Sequence, residues 1–344
     1  MQGGILRVKI EEVREQLESA AKKFVSDAEA AYFAELYLES HLRKYPRMNP
    51  IGEALDDIKI WEKATDRSIA IDVAKAGVLL ADFNGLAPTL KIKYIHDELE
   101  IRAKKSGIAA AGFRNSSGVI TLNLWPDGLA ARDMIGICMF NGGVGCCVPH
   151  NGTRGFFGTA PMAYAIPTSG RPIALDMATT EIPFFEIANA KKQGSSLKAG
   201  VAVDRQGRPT IDAAKALGAD GICNLLPMGG GFKGYGIVML IEVLTGSLIR
   251  SLTSAQQTPG WNPSEYGGLI IAIDIGSFTD IDRFKGEVSN MCAAVRSQTP
   301  AEGREVVAIP GDRGHGKRES ALSSGEIEIP GQLFEALKKR ASGP

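Results

Sequence analysis

Apolar positions recur at two periods along this chain, and the periods place its elements. Val8, Val13, Leu17 and Ala21 share one side of a 3.6-residue repeat with charges on the other, so residues 8–25 read as an amphipathic helix. Ser26 and Asp27 offer an N-cap, because a short side-chain oxygen accepts from the unpaired N–H groups of a first turn. A second helix is expected over Ala28–Leu42, with Ala31, Phe33, Ala34, Leu36 and Leu38 inward and Pro46 as its stop. Ile69–Val78 and Tyr94–Lys105 read as strand then helix. Apolar runs typical of buried strands occupy Ser106–Ser117, Val119–Leu124, Thr159–Pro167, Pro172–Thr180 and Leu269–Ile275. Ala130–Met139 reads as a short helix leading into a strand, and Val201–Pro209 as a short strand with a turn. Helical spacing returns at Glu181–Lys192, Asp280–Ser297 and Pro330–Lys339.

The pattern breaks most sharply at Leu226–Gly246. Three glycines, Gly229 to Gly231, run into Lys233 and then into Ile237, Leu240, Ile241, Leu244 and Leu248 at helical spacing, so a helix opens at Gly234 or Tyr235. A glycine run before a helix start, with a cation beside it, suits an anion such as a pyrophosphate or carboxylate. An equally weighted reading is a glycine-rich turn packed tightly on a neighbouring helix. The stretch is neither a Rossmann fingerprint nor a P-loop. No β-branched strand leads into it, and Gly234 rather than Ser or Thr follows Lys233.

Composition narrows the function. Lys plus Arg equals Asp plus Glu, 39 each, which disfavours nucleic acid and anionic membrane as partners. No apolar run reaches a membrane span and the N-terminus lacks a signal-like core, so a cytoplasmic protein is expected. Five scattered cysteines are neither a disulfide framework nor a zinc set, and no metal is expected. Length favours two domains at roughly 150 residues each. Asn141–Gly158, carrying Asn141, His150 and Arg154, is a long aperiodic loop of the kind that is usually functional. His41 sits among cations at a helix end, where a solvated terminus is the plainer explanation.

Ser40-His41, Val148–Pro167, LDMATT (Leu175–Thr180), GGGFKGYG (Gly229–Gly236) and IPGDR (Ile309–Arg313) resemble, in order and spacing, the malate/L-lactate dehydrogenase family. That family includes ureidoglycolate dehydrogenase and 2,3-diketogulonate reductase. LWPD (Leu124–Asp127) and Val148-Pro149-His150 are most similar to its Δ1-piperideine-2-carboxylate/Δ1-pyrroline-2-carboxylate (ketimine) reductases. The resemblance implies an α/β (α+β) fold with a non-Rossmann NAD(P)-binding domain on a mainly antiparallel sheet. It implies residues 111–294 for that domain, and 1–110 with 295–344 for a helical/mixed substrate and dimerisation domain. It further implies NADPH or NADH as cofactor, a small carboxylate substrate and a homodimer.

Residue roles follow from the same resemblance. His41 takes the place of the catalytic acid/base, with Glu186 as its supporting carboxylate. Asn141, His150, Asp176, Met177, Ala178, Thr180, Lys233, Gly234, Pro310, Gly311 and Asp312 match cofactor contacts. Leu42 stands where the family has glycine, and Lys44 falls in the place of its carboxylate-gripping arginine, with Arg43 and Arg47 nearby and Thr159 beside the substrate. The leading expectation is an NAD(P)H-dependent reductase of a cyclic ketimine or 2-oxo acid. The alternatives are a malate/lactate-type 2-hydroxy acid dehydrogenase and a cofactor-binding homologue impaired in catalysis.

Overall fold

The computed structural model describes residues 4–44, 48–258, 262 and 264–343. The two ends of the chain pair: β1 (Ile5–Lys9) runs antiparallel to β10 (Glu326–Pro330), with Val8 opposite Ile327. α1 (Ile10–Ala21) buries Val13, Leu17, Ala20 and Ala21 against α11 (Gly331–Ser342) and α2 (Asp27–Arg43). The expected cap forms as a reciprocal box. Glu29 N donates to Ser26 Oγ at 3.4 Å and Ser26 N donates to Glu29 Oε2 at 3.0 Å. Ala31, expected inward, is exposed. α3 (Pro50–Lys63) starts at an Asn49 cap with proline in its first turn, and buries Ile51, Ala54, Leu55, Ile58 and Trp61. The periodicity reading passed over this helix. α4 (Ile92–Ser106) completes the helical layer.

That layer covers one face of a seven-stranded sheet. Its strands are β2 (Ala70–Lys75), β3 (Val78–Asp82), β4 (Ile108–Ser116), β5 (Met134–Phe140), β7 (Met162–Ile166), β8 (Ile173–Met177) and β9 (Tyr266–Asp274), in the order β2-β3-β4-β9-β5-β7-β8. β6 (Val144–Cys147) lies outside it. Every neighbouring pair is antiparallel except β3–β4. The fold is therefore α/β on a mainly antiparallel sheet, as expected. The expected division at residue 110 falls inside β4, and β2 and β3 belong to the same sheet.

The sheet is a partition between two cores. Ala109, Ala111, Phe113, Phe140 and Ile270 join the helices of both chain ends on one face. Leu80, Met139 and Leu269 pack with Val238 and Ile241 of α8 (Phe232–Glu242) on the other. α8 continues as a π turn through Val243–Ser247. Its outer side leaves Phe232, Leu240 and Leu248 at 65%, 56% and 60% exposure. α6 (Phe184–Gln193) and the single turn α7 (Ala213–Ala216) form a small lobe around Ile187, Leu197, Ala202 and Leu225. α9 (Ile281–Arg296) and α10 (Asp312–Ser324) flank β8.

Val119–Leu124, read as a strand, is a loop that enters α5 (Leu124–Ala130). The helix expected from Ala130 is this one, ended earlier. Asp133, at φ 61°, takes the left-handed conformation that breaks α5 from β5.

Candidate active site

A cleft of about 1590 Å³ opens between the helical layer and the edge of the sheet. β8 delivers Asp176 and Met177 to it, and the turn after β8 adds Ala178 and Thr180. Thr159, the first turn of α6 through Glu186, the end of α2 through Ser40, Arg43 and Lys44, and Glu53 of α3 complete the named walls.

The loop before α10 closes the cleft from the C-terminal side, and Pro310 and Gly311 line it. Ala174 N donates to Pro310 O at 3.0 Å, which lays the loop on β8. Gly311 has φ 103°, and a Cβ there would come within 3.3 Å of Ala174 N and O. Only glycine combines that conformation with that approach. Asp312 does not face the cleft. Its carboxylate accepts from Arg296 at 2.7 and 3.1 Å and from Ile309 N at 2.8 Å, so it staples the loop rather than meeting a ligand.

Asp176 is anchored by Asn123 N, which donates to its Oδ2 at 3.0 Å. Burial still dominates and raises this carboxyl to about 7, against the pull of that N–H. Arg43 is already committed. Its guanidinium pairs with Asp127 of α5 at the cleft wall, and both side chains are nearly buried. Lys44 is the cation of this cluster that no carboxylate neutralises within ion-pair distance among the described residues. Arg47 lies outside the described residues.

His41 is not where the resemblance put it. α2 continues to Arg43, so His41 repeats the face of Ala34 and Leu38 and is 3% exposed, away from the cleft lining. Lys44 Nζ donates to its Nε2 at 2.9 Å. Burial, followed by the charge of Lys44, lowers the ring to about 3, so it is neutral at physiological pH and accepts rather than donates at Nε2. Glu186 lines the cleft but is not among the groups acting on His41. The expected His41–Glu186 couple does not form.

Four further expected contacts lie off the cleft lining. Asn141 is buried, with Nδ2 donating to Leu252 O at 3.4 Å, while its neighbours Phe140 and Gly142 reach the cleft. His150 is exposed and meets the edge of Phe232 at 6.3 Å between ring centroids. Lys233 is exposed at the start of α8. Gly234 is there for packing, since a Cβ would fall 1.9 Å from Met228 O. A Cβ at Gly229 or Gly230 would meet nothing within 4 Å, so the close packing belongs to Gly234 against the Met228 backbone, and Met228 is the residue of that loop that lines the cleft.

Several lining residues escaped the sequence reading. Ser40 Oγ donates to Asn123 Oδ1 at 3.0 Å and Asn123 Nδ2 to Asp127 Oδ2 at 2.8 Å, linking α2 to α5. Glu53, three residues past Pro50 in a capped first turn, holds Thr121 Oγ1 on its Oε2. Among the described residues no group of three His, Cys, Asp or Glu could hold a metal ion. No helix of the described residues is long and apolar enough to cross a membrane.

A family model described as malate/L-lactate dehydrogenase matches residues 8–338. The chain belongs to the malate/L-lactate dehydrogenase family. It is 29% identical over 323 residues to a malate/(S)-sulfolactate dehydrogenase of Methanothermus fervidus, covering 92% of this chain and 91% of that one. It is 34% identical over 289 residues to a Δ1-pyrroline-2-carboxylate reductase of Ancylobacter novellus, covering 80% and 78%. The solved sulfolactate dehydrogenase of Methanocaldococcus jannaschii superposes with a TM-score of 0.82 at 26% identity over 97% and 96% of the two chains. Membership makes the chain an NAD(P)-dependent oxidoreductase. The cleft fits that cofactor. It exceeds the roughly 300–1,000 Å³ of a single small-ligand pocket, and glycines at 142, 143 and 311, all at positive φ, keep side chains off its walls.

Proposed function

We propose that this oxidoreductase reduces a small 2-carboxy imine or 2-oxo acid, the cleft holding cofactor and substrate side by side. The observation that carries the reading is the charge layout at the α2 end. Arg43 is neutralised by Asp127, while Lys44 faces the same cleft with its ammonium held by neutral His41. Lys44 is the substrate-carboxylate grip, a single point charge rather than a bidentate fork. His41 is its positioning residue and does not act as the acid.

Bound NAD(P)H supplies a hydride to the substrate's 2-carbon. The chain's part is to hold the reactants in line and to keep water out. Asp176, Met177, Ala178, Thr180, Pro310 and Gly311 would hold the cofactor along β8, and Thr159 and Lys44 would orient the substrate. The exposed apolar side of α8, with Phe232, Leu240 and Leu248, fits the interface of a cytoplasmic homodimer.

The test is a panel of Δ1-piperideine-2-carboxylate, Δ1-pyrroline-2-carboxylate, pyruvate, oxaloacetate and sulfopyruvate with NADH and with NADPH. Nicotinamide absorbance should fall with one substrate class, and Lys44→Ala should raise its KM. A second reading, cofactor binding without catalysis, is favoured by one observation: the only histidine in the α2 motif is sealed off. Micromolar cofactor binding with no turnover across the panel would select it and reject the first.

A further inference from the structure

Reduction of a carbonyl or imine consumes one proton with each hydride, and His41 does not reach the cleft to supply it. Glu53 does reach it, and it reaches a second space as well. A side cavity of about 320 Å³ lies behind α3, lined by Glu53, Asp57 and Lys63 of α3, Tyr37 of α2 and Gly118 and Ile120 of the loop before α5. Glu53, Asp56 and Ile120 line both this cavity and the main cleft. Glu53 is thus a wall shared by the substrate space and a solvent-facing antechamber. The carboxyl is fixed rather than swinging, because Thr121 Oγ1 donates to Oε2. No hydrogen bond of its own engages Oε1 among the described residues.

We infer that Glu53 is the proton donor of this enzyme, recharged from solvent through the side cavity. This rests on the proposed reductase function and adds the acid that function lacks. In the step, the substrate's 2-carbon gains the hydride that NAD(P)H supplies. The C=O or C=N π pair takes the proton as the Oε1–H bond of Glu53 breaks, leaving an alcohol or amine, NAD(P)⁺ and a carboxylate. Water in the side cavity returns the proton to Glu53.

The electrostatics agree with the geometry. Burial raises Glu53 to about 7 against the Thr121 hydrogen bond, and Asp57, Asp176 and Asp56 add to the rise. Across the two spaces it faces Lys59 and Lys63 from its own helix, and Arg43, Lys44 and Tyr37 from α2. Arg43 is spent on Asp127, and Asp57 takes the Tyr37 and Thr89 hydroxyls at 2.5 Å each. A carboxyl that holds its proton near neutrality is matched to donating it there.

The test compares wild type, Glu53→Gln and Glu53→Asp as full chains. Burial also raises Asp57 and Asp176 to about 7, so infrared difference spectra between pH 5 and 9 should show protonated-carboxyl absorption titrating near neutrality in wild type, and Glu53→Gln should remove one component of it and leave those of Asp57 and Asp176. This readout needs no substrate. With whichever substrate of the panel is turned over, Glu53→Gln should cut kcat by about 10²-fold or more, as for loss of a general acid. It should also abolish the fall in rate above neutral pH, with NAD(P)H affinity unchanged, and Glu53→Asp should restore part of kcat. A carboxyl titration unchanged between wild type and Glu53→Gln overturns the assignment, and so does a Glu53→Gln variant with wild-type kcat and pH profile. A band that titrates as expected in a wild type that turns over nothing overturns the reductase function instead, and the donor role with it. If Glu53→Gln fails to fold, the Glu53→Asp pH profile decides. An unshifted apparent pKa there overturns the proposal.

Discussion

Arg43→Met separates an architectural cation from a substrate-binding one. Arg43 and Asp127 are 13% and 11% exposed, so removing the guanidinium strands a carboxylate in a nearly dry wall. Asp127 would keep Asn123 Nδ2 on Oδ2, but its Oδ1 is buried and has no hydrogen-bond partner among the described residues. Breaking such a pair from one side costs roughly 3–5 kcal/mol. Arg43→Met combined with Asp127→Leu removes both charges, and the loss should shrink to within about 1.5 kcal/mol of wild type, as volume-matched replacements of buried pairs do. Urea unfolding followed by tryptophan fluorescence gives both values, because Trp125 sits in the same helix as Asp127. The double variant should also retain its KM for the carboxylate substrate. A single-variant loss under about 1 kcal/mol would place the pair with weak surface bridges and refute the reasoning. So would a double variant as unstable as the sum of the singles.

Lys44→Ala should raise KM for the carboxylate strongly while leaving NAD(P)H affinity unchanged; fluorescence titration of the cofactor and initial rates of the substrate check the split. Gly234→Ala puts a methyl 1.9 Å from Met228 O, so the glycine loop must shift and the chain should lose about 1–3 kcal/mol in thermal unfolding. Fully buried His96, hydrogen-bonded through Nδ1 to Tyr32 Oη at 2.8 Å, is lowered to about 3 by burial and then by Arg132. Its neutral form is favoured on folding, so its contribution is complete above the ordinary value of 6.5 and is lost as pH falls toward 3. Wild type should therefore lose stability relative to His96→Gln by up to about 1.4 kcal/mol per pH unit in that window, and a gap that stays constant with pH would contradict this. Leu240→Glu on the exposed side of α8 should shift sedimentation from dimer to monomer if that side is the interface.

Elements with a clean period were legible before any coordinates. Ser26 with Asp27 announced α2, and the apolar run Leu269–Ile275 lies within or beside β9, the middle strand of the sheet. α3 was hidden because Gly52 and three acidic residues interrupt a stripe whose apolar members, Ile51 to Trp61, fully satisfy helical spacing. The lining of the cleft was legible at Asp176, Met177, Ala178 and Thr180 and at Pro310 and Gly311. Legibility failed where a dipeptide match outweighed periodicity. Ala34, Leu38 and His41 stand at i, i+4 and i+7, which is the spacing of a buried face, and that spacing was sufficient to place the imidazole in the core. Asp312 misled for a related reason. A carboxylate after Pro-Gly reads equally as a ligand contact or a loop staple until Arg296, sixteen residues earlier in the chain, is seen beside it.

The ribbon of β1 with β10 also sets a timetable for folding. Lys9 lies opposite Glu326, so β1 is matched only by a strand made 317 residues later. At roughly 5–20 residues per second, that is an interval of tens of seconds. Throughout it, the stripe of Val13 and Leu17 on α1 lacks Phe334 and Leu337 of α11, and β1 is an open edge. The central sheet has all its strands before then, so the helical layer is the part that waits, and the part a chaperone would meet half-made. A circular permutant that links the end of α11 to the start of β1 and is opened instead at an exposed loop would leave only α11 and the linker between β10 and β1, and should fold faster than the parent chain.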